Sequence, residues 1–136
     1  MLSASVTYGA DNEIYVDQSG TGANIDLEQL GISNIIGGLN STAGNLTAFD
    51  LDGTSMTLDI NMIGATNKFL GDINANSFTG LYNFTGGSNT FTIQVDPTNT
   101  YSSNSSDQNI AVTGSSNTFT LNQGTTAIAA SLNLDW

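Results

Sequence analysis

Glycine recurs at intervals of eleven residues through much of the chain. Six of its fifteen glycines share this spacing, and Thr42 and Ala75 stand at the two positions of the series that lack glycine. The six are Gly9, Gly20, Gly31, Gly53, Gly64 and Gly86. Regular spacing on this scale is typical of repeat proteins, in which each repeat is one unit that cannot bury its apolar face alone. The spacing therefore favours a chain built by stacking strand-and-turn units.

Amide and carboxylate side chains follow the same spacing, with one slip of a single residue. We predict that they form a structural ladder on successive strands, consisting of Gln18, Gln29, Asn40, Asp50, Asn61, Asp72, Asn83 and Gln94. Asparagine also returns at twice the interval, as in Asn67 and Asn89, so the structural repeat is expected to hold two strands in about 22 residues. Stacked Asn or Gln side chains can hydrogen-bond along such a ladder.

Short runs of alternating apolar and polar residues separate the glycine turns, which is the pattern of half-buried strands. We predict a single all-β domain spanning residues 1–136, organised as a β-solenoid of about 22-residue, two-strand coils that pair in parallel. The alternative is an antiparallel β-sandwich or jelly roll made from the same strands. The predicted core consists of Ile14, Val16, Leu27, Leu58, Ile60, Phe69, Phe78, Phe91, Ile93, Phe119 and Leu121.

One segment interrupts the repeat. Residues 96–107 read DPTNTYSSNSSD, contain the only proline, and have Tyr101 as their one large apolar side chain. The interval from Asn89 to Asn117 is 28 residues instead of 22, as if about six residues had been added to one coil. We predict that residues 96–107 form an insertion loop within the domain.

The charge composition excludes several functions. Twelve acidic residues face a single basic residue, Lys68, so the formal net charge is −11. A chain this acidic repels nucleic acid, and no apolar run is long enough to cross a membrane. The first residues lack the basic and apolar segments of a signal peptide. We therefore expect no nucleic-acid partner and no membrane insertion, and a virion or extracellular location.

The chain also lacks the usual catalytic side chains. It has no histidine and no cysteine, and Lys68 is the only possible nitrogen base, so we expect no enzymatic activity. Asp50 and Asp52 resemble the acid and base pair of a glycosidase, but the ladder and the Asp-Gly turn at Asp52 and Gly53 explain them better.

Five early acidic residues are the weak candidates for a metal site, with Ca²⁺ as the one possible cofactor: Asp11, Glu13, Asp17, Asp26 and Glu28. We prefer a solvated acidic face, since neither an EF-hand loop nor a calcium-binding nonapeptide repeat is present. No other cofactor is expected.

Part of the chain resembles a known repeat family. The order Gln18-x-Gly20-x-Gly22-x-Asn24, followed by Gln29-x-Gly31-x-x-Asn34, resembles the curlin repeat of bacterial curli fibre subunits. The resemblance implies strand-turn-strand units that stack into a β-solenoid and self-assemble end to end as functional amyloid. The Asn- and Gly-rich solenoids of phage fibres and spikes are similar in the same respects.

The leading hypothesis is a non-enzymatic structural subunit of a repetitive assembly, namely a virion component such as a phage fibre, spike or decoration protein. Its partners would be further copies of itself or other virion or fibre proteins. One alternative is a curli-like extracellular fibre subunit. Another is a glycan- or ice-binding module, for which the outward Thr90, Thr92, Thr118 and Thr120 are the suggestive residues.

Overall fold

The protein is all-β. A computed structural model describes residues 2–3, 8–9, 12–38, 49–95, 105–123 and 131–135, and these residues contain twelve strands and no helix. The strands are β1 (Leu2–Ser3), β2 (Tyr8–Gly9), β3 (Asn12–Ile14), β4 (Val16–Thr21), β5 (Asn24–Ile36), β6 (Phe49–Thr54), β7 (Thr57–Asn76), β8 (Thr79–Thr85), β9 (Ser88–Val95), β10 (Asp107–Thr113), β11 (Ser116–Gln123) and β12 (Ser131–Asp135).

Strand pairing is parallel throughout the described residues and joins all twelve strands into one sheet. An antiparallel sandwich or jelly roll would pair hairpin neighbours, so that alternative is wrong. The long strands β5 and β7 each change neighbours along their length. The first part of β7 pairs with β8, whereas its second part pairs with β9.

The pairings define two stacks of strands. The first stack contains β1, β2, the first part of β5, the first part of β7, β8, β10 and β12. The second stack contains β3, β4, the end of β5, β6, the second part of β7, β9 and β11. We call residues that lie directly opposite one another on successive strands of a stack a column.

Residues of one column are most often 22 positions apart, as in Thr57 opposite Thr79 and Asn67 opposite Asn89. The interval is 33 where β5 pairs with β7, because residues 37–48 lie between β5 and β6. It is 28 where β8 pairs with β10. Of the predicted insertion 96–107, residues 96–104 lie outside the described residues, and β10 begins at Asp107, so the loop does not extend to its predicted end.

Close backbone contact explains the glycine spacing. A Cβ atom on Gly64 would overlap the carbonyl oxygen of Gly31, one on Gly86 would overlap that of Gly64, and one on Gly114 would overlap that of Gly86. In the second stack, a Cβ atom on Gly53 would overlap the carbonyl oxygen of Gly20. Glycine is therefore required at these four positions, because a side chain there would overlap the backbone of the neighbouring turn.

The core is formed by side chains from both stacks. The ring of Tyr82 in the first stack lies 5.5 Å from that of Phe69 and 5.1 Å from that of Phe91 in the second stack. Phe84 of the first stack also packs on both rings. Such aromatic pairs add to the stabilisation from apolar burial.

Most of the predicted core residues are buried: Val16, Leu27, Leu58, Ile60, Phe69, Phe78, Phe91 and Ile93. Ile14, Phe119 and Leu121 are half-buried and pack against the core. The strands β3 and β11 that carry them have a neighbour on one side only among the described residues.

Candidate functional site

A continuous hydrogen-bonded row of asparagines runs along the second stack. Each asparagine lies directly opposite the next on the neighbouring strand, and its Nδ2 donates to the Oδ1 of that residue at 3.0, 2.8, 2.8 and 2.9 Å in order. We call this row the asparagine ladder, and it consists of Asn12, Asn34, Asn67, Asn89 and Asn117.

The same amides also hold the turns of the neighbouring repeat. Asn12 Nδ2 donates to the carbonyl of Leu30 at 3.1 Å, and Asn34 Nδ2 donates to that of Ile63 at 3.1 Å. Asn67 Nδ2 likewise donates to the carbonyl of Thr85 at 3.0 Å. Both hydrogens of these Nδ2 groups therefore have acceptors, as burial requires.

The motif behind the ladder is Gly-x-x-Asn. Each ladder asparagine follows a glycine of the turn by three residues, for example Gly86 and Asn89, or Gly114 and Asn117. Asn89 Nδ2 and Asn117 Nδ2 each lie 3.3 Å from the carbonyl oxygen of that glycine. The motif occurs eight times in the sequence and five of these are ladder positions, so Gly-x-x-Asn narrows the candidates for the ladder without identifying it.

The predicted ladder residues lie elsewhere, in two different columns. Asp50, Asp72 and Gln94 share one column of the second stack, whereas Asn61 and Asn83 share one of the first stack. An interval of eleven residues is half a repeat, so it alternates between the two stacks and joins residues that do not meet.

Three of the predicted ladder residues need separate mention. Gln18 lies opposite Leu51 and Gln29 lies opposite Met62, so their prediction as ladder residues is wrong by one position, and Asp17 and Glu28 occupy the columns instead. Gln29 is fully buried, and its Nε2 donates to the carbonyls of Asn12 at 3.1 Å and Ile35 at 3.2 Å. Asn40 lies outside the described residues.

The ladder has a direction and two open ends. Every inter-residue bond runs from the Nδ2 nearer Asn12 to the Oδ1 nearer Asn117. Among the described residues, no group donates to Asn12 Oδ1, and the carbonyl oxygen of Gly114 is the one acceptor of Asn117 Nδ2. One end of the ladder therefore offers a hydrogen-bond acceptor and the other end offers a donor.

The strands at the two ends also have unpaired edges within the described residues. β4 pairs only with β6 at one end, and β11 pairs only with β9 at the other. On the first stack, β12 pairs only with β10, and its residues are largely exposed. Unpaired strand edges are natural docking sites for further strands.

The weak metal candidates are not brought together. Asp26 lies opposite Asp59 in the first stack, Glu28 lies opposite Asn61, and Asp17 lies opposite Asp50 in the second stack. Glu13 Oε2 accepts a hydrogen bond from the Tyr15 hydroxyl at 3.1 Å, and this bond raises the pKa of Tyr15. Asp11 lies outside the described residues, and within the described ranges no three acidic side chains form a group suited to a metal ion.

Stacked carboxylates stand out in the second stack. Asp17, Asp50 and Asp72 lie in one column on β4, β6 and β7, and we call them the acid column. Asp50 and Asp72 are each only 2% exposed. Burial, followed by the charges of Asp52, Asp72 and Asp17, raises the pKa of Asp50 to about 6.

The threonine array is short. Thr90 lies opposite Thr118 and Thr92 lies opposite Thr120, but on the next strand the same columns hold Lys68 and Leu70. A surface that matches the ice lattice needs identical side chains on more than two strands. The threonine array is therefore too short to favour ice binding as the function.

Comparisons with known proteins place no relative beside this chain: no protein-family model, curated protein or solved structure matches it. In the described part of the chain, no helix has the length and apolar character needed to span a membrane.

Proposed function

We propose that the protein is a non-enzymatic structural subunit with a β-solenoid fold, and that its copies join head to tail through the ends of the asparagine ladder. The single observation that carries this proposal is the directional ladder, which among the described residues ends on an acceptor at Asn12 and on a donor at Asn117. The solenoid is supported by the column interval of 22 residues, at which the chain returns to the same stack one strand further on.

Direction in the ladder selects the geometry of association. If Asn117 of one copy meets Asn12 of the next, a donor faces an acceptor and the bonding pattern continues. If two copies met through the same end, a donor would face a donor or an acceptor would face an acceptor. A contact between unlike ends does not close on itself, so it produces a filament or a stack of open length.

The apolar residues near the ends fit the same arrangement. Phe119 stacks on Phe91 with a centroid distance of 4.9 Å, and its outer face is incompletely covered. Ile14, also half-buried, stands two residues after Asn12 at the other end, as Phe119 stands two residues after Asn117. Ladder continuity would therefore place Phe119 on Ile14 of the next copy and bury both.

The strand β12 limits this junction. β12 occupies the edge of β10 in the first stack. The first stack therefore extends one strand further than the second stack, which ends at β11. A copy that continued the ladder directly from Asn117 would bring its own residues 2–9 to the edge of β10. β12 must leave that edge for the ladder to be uninterrupted, which makes it a removable cap.

Charge sets the conditions for association. Each copy carries a formal charge of −11, so stacked copies repel one another at low ionic strength. Salt screens this repulsion, with a Debye length of roughly 8 Å at physiological ionic strength. We expect association to strengthen as salt increases.

Two biological settings use such a subunit. We favour a virion component, such as a phage fibre, spike or decoration protein, and the second candidate is a curli-like extracellular fibre subunit. The behaviour of the purified chain distinguishes the two settings. Long unbranched filaments formed without any partner would support the fibre subunit. Short stacks that stop growing would support a component that docks on another virion protein.

The test uses Asn117→Asp. The aspartate still accepts the bond from Asn89, so the fold is kept, but the terminal donor is lost and a negative charge faces the acceptor of the next copy. Asn109→Asp is the matched control, because Asn109 is an exposed residue that also accepts a bond from another asparagine, Asn133.

Sedimentation velocity over a range of protein and salt concentrations is the measurement. We expect concentration-dependent association of the natural chain and of Asn109→Asp. Association of Asn117→Asp should be at least roughly tenfold weaker, because the lost hydrogen bond and a carboxylate that faces an amide oxygen together cost about 1.4 kcal/mol or more. A natural chain that stays monomeric at high salt, or an Asn117→Asp variant that associates as well as the control, would refute the head-to-tail contact.

A further inference from the structure

The acid column is a second unusual feature, independent of the ladder. Asp17, Asp50 and Asp72 face one another on adjacent parallel strands, where neighbouring residues of a column are about 4.8 Å apart. Like charges directly opposite one another destabilise a sheet, and burial increases that cost because water no longer screens them. Two of the three carboxyl groups are buried.

Among the described residues, no basic side chain lies opposite a member of the column. The groups around Asp50 are Asp17 from β4, Asp52 from its own strand β6, and Asp72 and Asn74 from β7. Gln94 from β9 lies opposite Asp72. Lys68 is the only basic residue of the chain, and it stands four residues before Asp72 on the same strand, roughly 13 Å away along an extended chain.

Asp50 of the acid column has a carboxyl oxygen without a hydrogen-bond partner among the described residues. Asp52 Oδ1 accepts a hydrogen bond from Asn74 Nδ2 at 3.0 Å, so Asn74 is engaged with Asp52. Asp50 Oδ1 is buried and has no hydrogen-bond partner among the described residues. A buried carboxylate oxygen with neither a donor nor a cation nearby is stabilised by a proton, because the protonated group is neutral and can itself donate.

We propose that the acid column is a proton-binding switch, in which Asp50 holds a proton in acid and donates it in a hydrogen bond to a neighbouring carboxylate of the column. This bond ties together β4, β6 and β7. When the proton is lost at neutral pH, like charges face one another along the column, and β6 with its neighbours becomes easier to open.

The direction of the pH effect follows from the elevated pKa of Asp50. A carboxyl group whose pKa is higher in the folded than in the unfolded protein binds its proton more tightly when folded. Its stabilising contribution is complete below the ordinary pKa of 3.8 and is lost as the pH rises through about 6. The switch therefore holds the sheet in acid and releases it towards neutral pH.

Amide hydrogen exchange of the natural chain, measured by NMR at about pH 5 and about pH 7.5, tests the switch. After correction for intrinsic exchange, we expect the opening of β6 amides to be at least roughly tenfold more frequent at the higher pH, while β8 amides change little. Carbon-13 titration of the aspartate carboxyl groups on the same sample should show Asp50 titrating near 6.

Asp50→Asn removes the ionisable group, whereas Asp135→Asn removes an exposed carboxylate far from the column and reports the general effect of net charge. We expect the first variant to lose the pH dependence of β6 opening and the second to keep it. The proposal is overturned by pH-independent β6 opening, by an Asp50 titration below about pH 4.5, or by Ca²⁺ restoring protection at neutral pH, which would make the column a cation site. The carboxyl titration decides the matter even if Asp50→Asn does not fold.

Discussion

Asn89 Nδ2 donates to Asn117 Oδ1 at 2.9 Å, although the two residues are 28 positions apart. Asn67 and Asn89 make the same contact at 2.8 Å across an interval of 22 residues. The register of the sheet is therefore determined by the ladder and the glycine turns, and not by the number of residues in a coil. Extra residues are accommodated between the strands of the repeat, as residues 37–48 are between β5 and β6.

Replacing a central ladder residue should destabilise the protein strongly. Asn67 is buried, accepts a bond from Asn34 Nδ2, and donates to both Thr85 O and Asn89 Oδ1. Asn67→Leu removes two buried hydrogen bonds and one partly buried bond, so we expect a loss of about 3 kcal/mol or more in the free energy of unfolding. Urea unfolding followed by circular dichroism measures it.

The matched control for Asn67→Leu is Asn83→Leu. Asn83 lies on β8 at an exposed position of the first stack, opposite Asn61 and Ala111. We expect this variant to change stability by less than about 0.5 kcal/mol. Equal losses in the two variants would show that the ladder contributes no special stability.

The glycine turns give a second pair of variants. A Cβ atom at Gly64 would overlap the carbonyl oxygen of Gly31, whereas one at Gly87 would lie 3.4 Å from the nearest atom, the carbonyl oxygen of Ala65. Because backbone must shift to admit the methyl group, we expect Gly64→Ala to cost about 2 kcal/mol or more. Gly87→Ala should be close to neutral, and a comparison of their thermal unfolding midpoints checks both expectations.

The sequence contains enough information for the strands and most of the core, because alternation of apolar and polar residues is a local property. Phe91 and Ile93 are identified as core in this way, and both are buried. The ladder is harder to predict from the sequence. The eleven-residue interval suggests a single row of side chains, whereas the structure has separate columns in two stacks. The insertion between β5 and β6 also hides the relation of Asn34 to Asn67, which are 33 residues apart.

The acid column shows where local pattern fails. Alternation assigns Asp50 and Asp72 to the outward side of their strands, and an outward carboxylate is normally solvated. Both are nevertheless buried. Which side chains are covered depends on tertiary packing, and the periodicity of a single strand contains no information about it. Alternation therefore predicts a ladder position for both residues and gives no sign that they are buried.

A pair of exposed carboxylates offers a pH-dependent prediction of smaller size. Asp59 lies opposite Asp26 in the first stack, and partial desolvation together with the charge of Asp26 raises the pKa of Asp59. A raised carboxyl pKa means that the stabilising contribution is present in acid and lost as the pH rises. Asp59→Asn should therefore stabilise the protein at neutral pH by roughly 0.2–1 kcal/mol, the cost of like charges that face each other across strands.

The same variant should have almost no effect at about pH 3, because the raised pKa of Asp59 leaves this group mostly protonated there. Urea unfolding at the two pH values provides the comparison. Salt should reduce the difference at neutral pH, because exposed charges are screened. A stabilisation that is equal at both pH values would show that the amide acts through packing and not through removal of charge repulsion.

The last prediction concerns β12 as a cap on the edge of β10. β12 is held by parallel pairing and by a hydrogen bond from the Ser131 hydroxyl to the Asp107 carboxylate, but Leu132 is 48% exposed, so little apolar surface anchors the strand. Ending the chain at Gln123 removes β12 and uncovers the edge to which residues 2–9 of another copy would pair. We expect the shortened chain to associate at lower protein concentration than the natural chain. Light scattering during an increase in salt concentration measures the rate and extent of this association.

Removing β12 also exposes apolar surface, so nonspecific clumping must be distinguished from ladder contact. Asn117→Asp in the shortened chain serves this purpose, because it keeps the exposed edge but removes the terminal donor. Loss of the gained association in this double variant assigns it to the ladder, and its persistence assigns it to the uncovered edge alone. Should the shortened chain associate no better than the natural one, β12 is not a cap, and copies must meet without continuing the ladder.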